Sequence, residues 1–348
     1  MLRSLFSRIL GLVFIFSGFV KCADPVGTSV FVEKYLATYH LDALLPAALA
    51  IAVALAAVEL LLGAMLMFGV AQRVTAVATT IFMSLFTAVT LLSATVLPIG
   101  DCGCFGDAVR LSPWETFAKN LVMLPMAIYL WWGSERKSVG RKEVISSLVV
   151  LALVLGLNIY SLRYQPIIDF MPYRVGVNLW ESVAHDRLAL ESQSTTYLLF
   201  RNTSTGEEIT FPSDDAECWT RDDIEFVESR QEVVELTSLP FAEFVLTDAE
   251  GNDCTLEFLQ ENRDITLLTV YDIESLSDSR LKAAKRLVES HDDVVVITSA
   301  DRAKVAQILG VELYSLDAMT LRTVIRSRVG IVELSDGVIS RKSDVRDI

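Results

Sequence analysis

The chain is poor in the groups on which most soluble enzymes rely. Its three histidines, His40, His185 and His291, form no HExxH or comparable cluster. It has no Walker-type or dinucleotide-binding glycine pattern, no serine nucleophile elbow and no internal repeat. P-loop, Rossmann and zincin chemistries are therefore excluded. Positive charge is also scarce, with 30 Lys+Arg against 44 Asp+Glu and a net charge of −14. Such a chain is repelled by polyphosphate backbones, so nucleic acid is excluded as a partner.

What is present is apolar length. Hydrophobic residues make up 52% of the 348 positions and the mean hydropathy is +0.43. The two halves differ. Residues 1–163 carry 12 Lys+Arg and 9 Asp+Glu, whereas residues 164–348 carry 18 and 35. A charge asymmetry of this size marks a domain boundary. The first half contains apolar runs at Ile9–Val20, Leu44–Phe68, Val74–Leu97, Phe117–Trp132 and Val144–Leu162. About 20 apolar residues cross a bilayer as a helix. Five crossings are expected, the first starting near Leu2 and retained rather than cleaved as a signal peptide. Pro46 suits a first turn, and Pro125 falls inside the fourth run.

Basic residues orient the bundle. Arg3, Arg8, Arg73, Arg136, Lys137, Arg141 and Lys142 fall on one side of the expected spans. Lys21, Lys34 and Arg110 fall on the other, diluted by five Asp and Glu. This predicts a membrane protein with its N-terminus inside and its acidic half outside. Tyr129, Trp131 and Trp132 then form an inner aromatic belt.

On the outer side lies Asp101-Cys102-Gly103-Cys104-Phe105-Gly106-Asp107. Three readings of Cys102 and Cys104 stand open. As a redox pair they would exchange disulfides by thiolate attack. As a structural turn they would only shape the loop. As metal ligands they would need Cys22 and His40 from two further loops, in spacings that match no zinc pattern. Glu59, alone in the second apolar run, is expected to pair with Lys119, either as a structural ion pair or as a proton relay for quinone reduction. In the acidic half, Cys218 and Cys254 are candidates for one structural disulfide, which leaves Cys22 to resolve Cys102 or Cys104.

Four segments together resemble the DoxX/MauE group of membrane proteins. They are Gly18-Phe19-Val20-Lys21 with Asp24-Pro25, Glu59-Leu60-Leu61-Leu62-Gly63, the Asp101–Asp107 loop, and Trp114–Asn120 with its terminal Lys119-Asn120. The resemblance covers about residues 5–135, and the remainder more loosely, in the long bacterial form that carries an added extracytoplasmic domain and implies residence in the inner membrane. It implies a four-helix core and a part in disulfide formation or electron transfer for an exported protein. MauE is linked to maturation of the disulfide-rich subunit of methylamine dehydrogenase.

In the outer half, Tyr164 to about Pro240 reads as a β-rich module, with a hairpin Thr195–Arg201/Glu208–Phe211 and strand character over Val227–Leu236. From Phe241 the pattern becomes strand Phe241–Leu246, strand Ile265–Tyr271, helix Asp278–His291, strand Val294–Thr298, helix Arg302–Leu309 and hairpin Gly330–Leu334/Val338–Lys342. That order resembles a thioredoxin-like domain. The usual CxxC is missing after Tyr271, and Val329 stands where a proline is expected.

The expected architecture is a DoxX/MauE-like α-helical bundle over residues 1–135, then a basic inner loop with the fifth membrane helix over 136–163. A β-rich module over 164–240 and a thioredoxin-like α+β domain over 241–348 complete it. The expected function is support of thiol-disulfide exchange for exported proteins. Cys102 and Cys104 would be the exchanging pair, with Cys22, Glu59, Lys119 and Asn120 as accessories and a membrane quinone as electron acceptor. The alternative is a non-catalytic membrane scaffold.

Overall fold

A computed structural model describes residues 2–96, 103–134, 140–193, 195–203, 205–213, 215–232, 239–273, 278–291 and 293–347. Its first half is helical: α1 (Leu2–Ala23), α2 (Pro25–Thr38), α3 (Ala48–Phe68), α4 (Gln72–Thr95), α5 (Pro113–Trp132) and α6 (Arg141–Arg163). Each boundary has a local cause. The Asp24 carboxylate accepts a hydrogen bond from Gly27 N at 2.8 Å and Pro25 occupies the first turn of α2. Pro46 lies in a short 3₁₀ turn, Asp42–Ala47, that leads into α3. Gly69 ends α3 in the left-handed conformation, at φ +67°. Ser112 and Glu115 form a reciprocal capping box at the start of α5.

Four spans are long and apolar enough to cross a bilayer: Leu2–Ala23, Asp42–Phe68, Gln72–Thr95 and Arg141–Arg163. Their outward residues are apolar, as at Leu12, Ile81, Leu85, Leu153 and Ile159. This is a membrane protein. Five spans are expected from the apolar runs; α5 falls short on composition because it carries Glu115, Lys119, Asn120 and Pro125. It nevertheless packs along α4 and touches α1. Helix α2 has no counterpart in the expected arrangement; it occupies the connection between the first two apolar runs.

The second half begins with α7 (Leu179–Gln193), followed by an antiparallel sheet in the order β2-β1-β3. Its strands are β1 (Thr195–Asn202), β2 (Glu208–Pro212) and β3 (Ile224–Glu232). Next come α8 (Thr255–Glu261), β4 (Ile265–Val270), α9 (Asp278–Ser290), β5 (Val294–Thr298) and α10 (Arg302–Leu309). The chain closes with β6 (Leu313–Ser315), α11 (Ala318–Val324), β7 (Val329–Ser335) and β8 (Val338–Asp344). The five-stranded sheet has the order β6-β5-β4-β7-β8. Strand β5 lies parallel to both β4 and β6, and β7 is antiparallel to β4 and β8.

Alternation along β4 makes two cores. Ile265 and Leu267 face Leu179, Leu259 and Leu321, while Leu268 and Val270 face Ala284, Leu287 and Val305. Two local expectations give way. The 164–240 segment is not purely β, because α7 inserts Leu179 and Val183 into the core of the larger sheet. Phe241–Leu246 forms turns rather than a strand, since the Leu246 amide donates to the Thr255 hydroxyl at 2.8 Å instead of to a neighbouring strand.

The halves are joined by buried charge. The Arg326 guanidinium, 6% exposed, donates to Asp24 Oδ2 at 2.7 Å and Asp169 Oδ1 at 3.0 Å. Arg322 reaches both carboxylate oxygens of Glu33 at 2.8 Å and Ser29 Oγ at 2.9 Å. Within the second half, Lys342 donates to Asp169 Oδ2 at 2.7 Å and so braces the acid that shares Arg326 with Asp24. Burial works to raise the Asp169 pKa, but Arg326, Lys342 and the Met171 amide hold it below the ordinary value. Burial pushes the Lys342 ammonium down to about 8, against the pull of Asp169.

Candidate functional site

The site is built on a crossing of α1 and α3 in which backbone meets backbone. A Cβ on Gly18 would lie 2.5 Å from Leu60 N, one on Gly63 2.6 Å from Ile15 N, and one on Gly11 2.9 Å from Met67 N. Small residues permit such approach between membrane helices. The crossing presents Ser17 and Lys21, one turn apart on α1, to Glu59 at the middle of α3.

Lys21 Nζ lies 2.6 Å from Glu59 Oε2, 2.8 Å from Ser17 Oγ and 2.6 Å from the Cys104 carbonyl oxygen. Three ammonium protons thus meet three acceptors. Ser17 Oγ in turn lies 2.6 Å from both Glu59 Oε2 and the Cys104 carbonyl, and its single proton serves one of them at a time. Lys21 and Glu59 are 5% and 4% exposed. A pair removed from water to this degree is tolerated only when its hydrogen bonds are filled.

The ion pair expected between Glu59 and Lys119 is therefore corrected: Lys21 holds the carboxylate. Lys119 instead stands 4.5 Å over the Phe105 ring. Asn120 is buried and donates to Thr90 Oγ1 at 3.3 Å. Phe105 also packs on Phe16, with ring centroids 5.4 Å apart. Together these contacts seat the loop on the bundle, above a small cleft walled by Phe14, Phe82, Phe86 and Met123. Cys104, Lys119, Asn120 and Glu59 line the same cleft. Cys102 lies outside the described residues. Gly103, at φ +62°, rests so closely on α2 that a Cβ there would lie 2.8 Å from the Phe31 ring.

The loop, the acid of α3 and the Lys-Asn pair of α5 are thus assembled around one cleft, and they lie in one segment of the chain. Residues 1–133 match the family model for methylamine utilisation protein MauE. No curated protein and no solved structure matches the chain. The MauE-like segment contains α1 to α5 and every residue of the cleft. Residues 134–348, including α6 and both sheets, lie beyond the match.

The remaining cysteines lie apart from the cleft. Cys22 is fully buried between the MauE-like segment and α6, where it accepts a hydrogen bond from Asn158 Nδ2 at 3.2 Å. Cys218 and Cys254, the expected disulfide pair, are not brought together. They occupy different cores. Cys218 lies with Phe200 and Phe211 beside the small sheet, and Cys254 sits against the large-sheet core at the start of α8. No group of three or more metal-ligating side chains occurs among the described residues.

Sequence reasoning singles out Glu59, Lys119, Asn120 and Cys104 but misses Ser17 and Lys21 as a working pair. The available signal is their i, i+4 spacing next to Gly18 on a membrane helix, which puts a hydroxyl and an ammonium on the close-packed face.

Proposed function

We propose that this chain supports thiol-disulfide exchange for exported proteins, with Cys102 and Cys104 as the exchanging pair. The observation that carries this reading is the clamp on the Cys104 carbonyl by Lys21 and Ser17, which holds the cysteine loop at the mouth of an aromatic cleft. A loop serving only as a connection has no need of two buried polar side chains fixing one of its carbonyls. The match to methylamine utilisation protein MauE supports a role in maturing an exported partner.

A thiolate of the exported protein attacks the Cys102–Cys104 disulfide, forming a mixed disulfide and releasing one thiol of the pair. A second thiol of that protein displaces the remaining cysteine. The exported protein gains a disulfide, and Cys102 and Cys104 are left as thiols. A membrane quinone would supply the oxidant, taking two electrons and two protons from Cys102 and Cys104 as their disulfide re-forms. Glu59, held through Oε2 by Lys21 and Ser17, positions the loop in this scheme rather than relaying protons.

The same reading gives the inner-membrane orientation. Helix α5 is the fifth crossing, since 20 residues span about 30 Å. The N-terminus is inside, and the cysteine loop and the sheets are outside. Parallel β4 and β5, followed by antiparallel β7 and β8 with helices on both faces, support a thioredoxin-like domain. It lacks a CxxC and so recruits or presents the partner.

One observation favours a scaffold instead. Arg322 and Arg326 lock the outer domain to α2, as expected of a platform.

The two readings separate in cells. Acid-quenched differential alkylation should find Cys102 and Cys104 oxidised in normal cells and reduced after quinone depletion. Replacing both by Ser should abolish maturation of the partner. A thiol state indifferent to quinone would leave the scaffold reading.

A further inference from the structure

We infer that the end of the bundle opposite the cysteine loop holds the headgroup phosphate of an anionic phospholipid. At this end α1 and α4 begin and α3 and α5 finish, and a cavity of about 440 Å³ lies among them. Its polar lining includes Arg3, Arg8, Ser4 and Gln72, and its apolar lining Leu66 and Leu130. No carboxylate lines it among the described residues. Glu143, at the start of α6, is engaged by Gly140 N at 2.9 Å and Ala71 N at 3.3 Å.

Arg3 and Arg8 have no hydrogen-bond or ion-pair partner among the described residues. Arg3 is nonetheless positioned: its guanidinium lies against Gly133, where a Cβ would fall 2.9 Å from Cζ and Nε. The third arginine nearby is occupied, Arg73 donating to the Ser134 carbonyl at 3.1 Å. Two exposed arginines that line one cavity and hold no protein acceptor make an anion site. The apolar floor selects a lipid over a free anion, because it offers glycerol and acyl carbons a surface that inorganic phosphate cannot use. Exposed Tyr129, Trp131 and Trp132 at the same end set the cavity at headgroup depth.

The test uses the full chain in detergent, with native mass spectrometry after addition of phosphatidylglycerol, phosphatidylcholine or inorganic phosphate. Phosphatidylglycerol adducts should survive activation, and phosphatidylcholine adducts should not. Retention should fall at least about tenfold in Arg3→Ala/Arg8→Ala. It should be largely kept in Arg3→Lys/Arg8→Lys and unchanged in Arg141→Ala/Lys142→Ala. If the alanine pair fails to fold, Gly133→Ala, which displaces only the Arg3 guanidinium, should still lower retention. Equal loss in Arg141→Ala/Lys142→Ala would reduce the effect to diffuse attraction and overturn the site. Protection by inorganic phosphate without phosphatidylglycerol binding would make it a free-anion site and overturn the lipid assignment, and binding of neither would overturn both.

Discussion

Lys21 is the residue on which the membrane site turns. It satisfies a buried carboxylate and a loop carbonyl with one ammonium group. Lys21→Met would strand the Glu59 charge and should cost about 3–5 kcal/mol in thermal or denaturant unfolding of the purified protein. Glu59→Gln should cost a comparable amount, and the double variant less than the sum of the two, which a double-mutant cycle reads directly. Lys119→Met gives up a cation–π contact and should cost only about 0.5–2 kcal/mol. Were Lys119 the more damaging of the two lysines, the pairing in the structure would be wrong. Sequence finds the acid because a lone Glu in an apolar run is conspicuous. It does not find the partner, because composition carries no azimuth: Lys21 and Lys119 lie equally near a membrane surface, and only the glycine-lined crossing turns Lys21 toward Glu59.

Among the elements, the α1–α3 pair is held by shape. Gly18→Ala would drive a methyl group into the backbone of Leu60 and should destabilise by about 1–3 kcal/mol. Gly156, within α6, has nothing within 4 Å of the place a Cβ would take. Gly156→Ala should therefore be neutral or stabilising by up to about 1 kcal/mol. Comparing the two by thermal unfolding separates packing from propensity. The long elements are legible in the sequence: strand Val294–Thr298 and helix Arg302–Leu309 form over the expected residues. Apolar runs mark the spanning helices because lipid demands uninterrupted length. Elements that depend on tertiary context are not legible. Helix α7 has a weakly patterned sequence and folds because Leu179 and Val183 find a core on another segment. Helix α2, with polar and apolar residues intermixed, is defined by its Asp24 cap and by neighbours on both sides.

At the scale of the whole molecule, Arg322 and Arg326 couple the halves, and a second set of buried charges within residues 164–348 gives the outer region a pH dependence. Asp169 and Asp344 both titrate below the ordinary carboxylate value. The unfolded chain therefore binds more protons than the folded one as pH falls into the carboxylate range, and their stabilisation is lost on acidification. Lys342 is depressed to about 8 from an ordinary 10.5. Between those values the unfolded chain again holds the extra proton, so stability should rise with pH across that window. Unfolding midpoints measured from pH 3 to pH 10 should show both slopes, and Lys342→Met should remove the alkaline one. The joint has a further consequence for how the protein can be divided. Asp24 lies inside the MauE-like segment, yet the guanidinium that neutralises it comes from residue 326. A chain cut after the last membrane helix would carry Asp24 and Glu33 without their arginine partners. The segment that matches the MauE family model is thus not electrostatically self-sufficient.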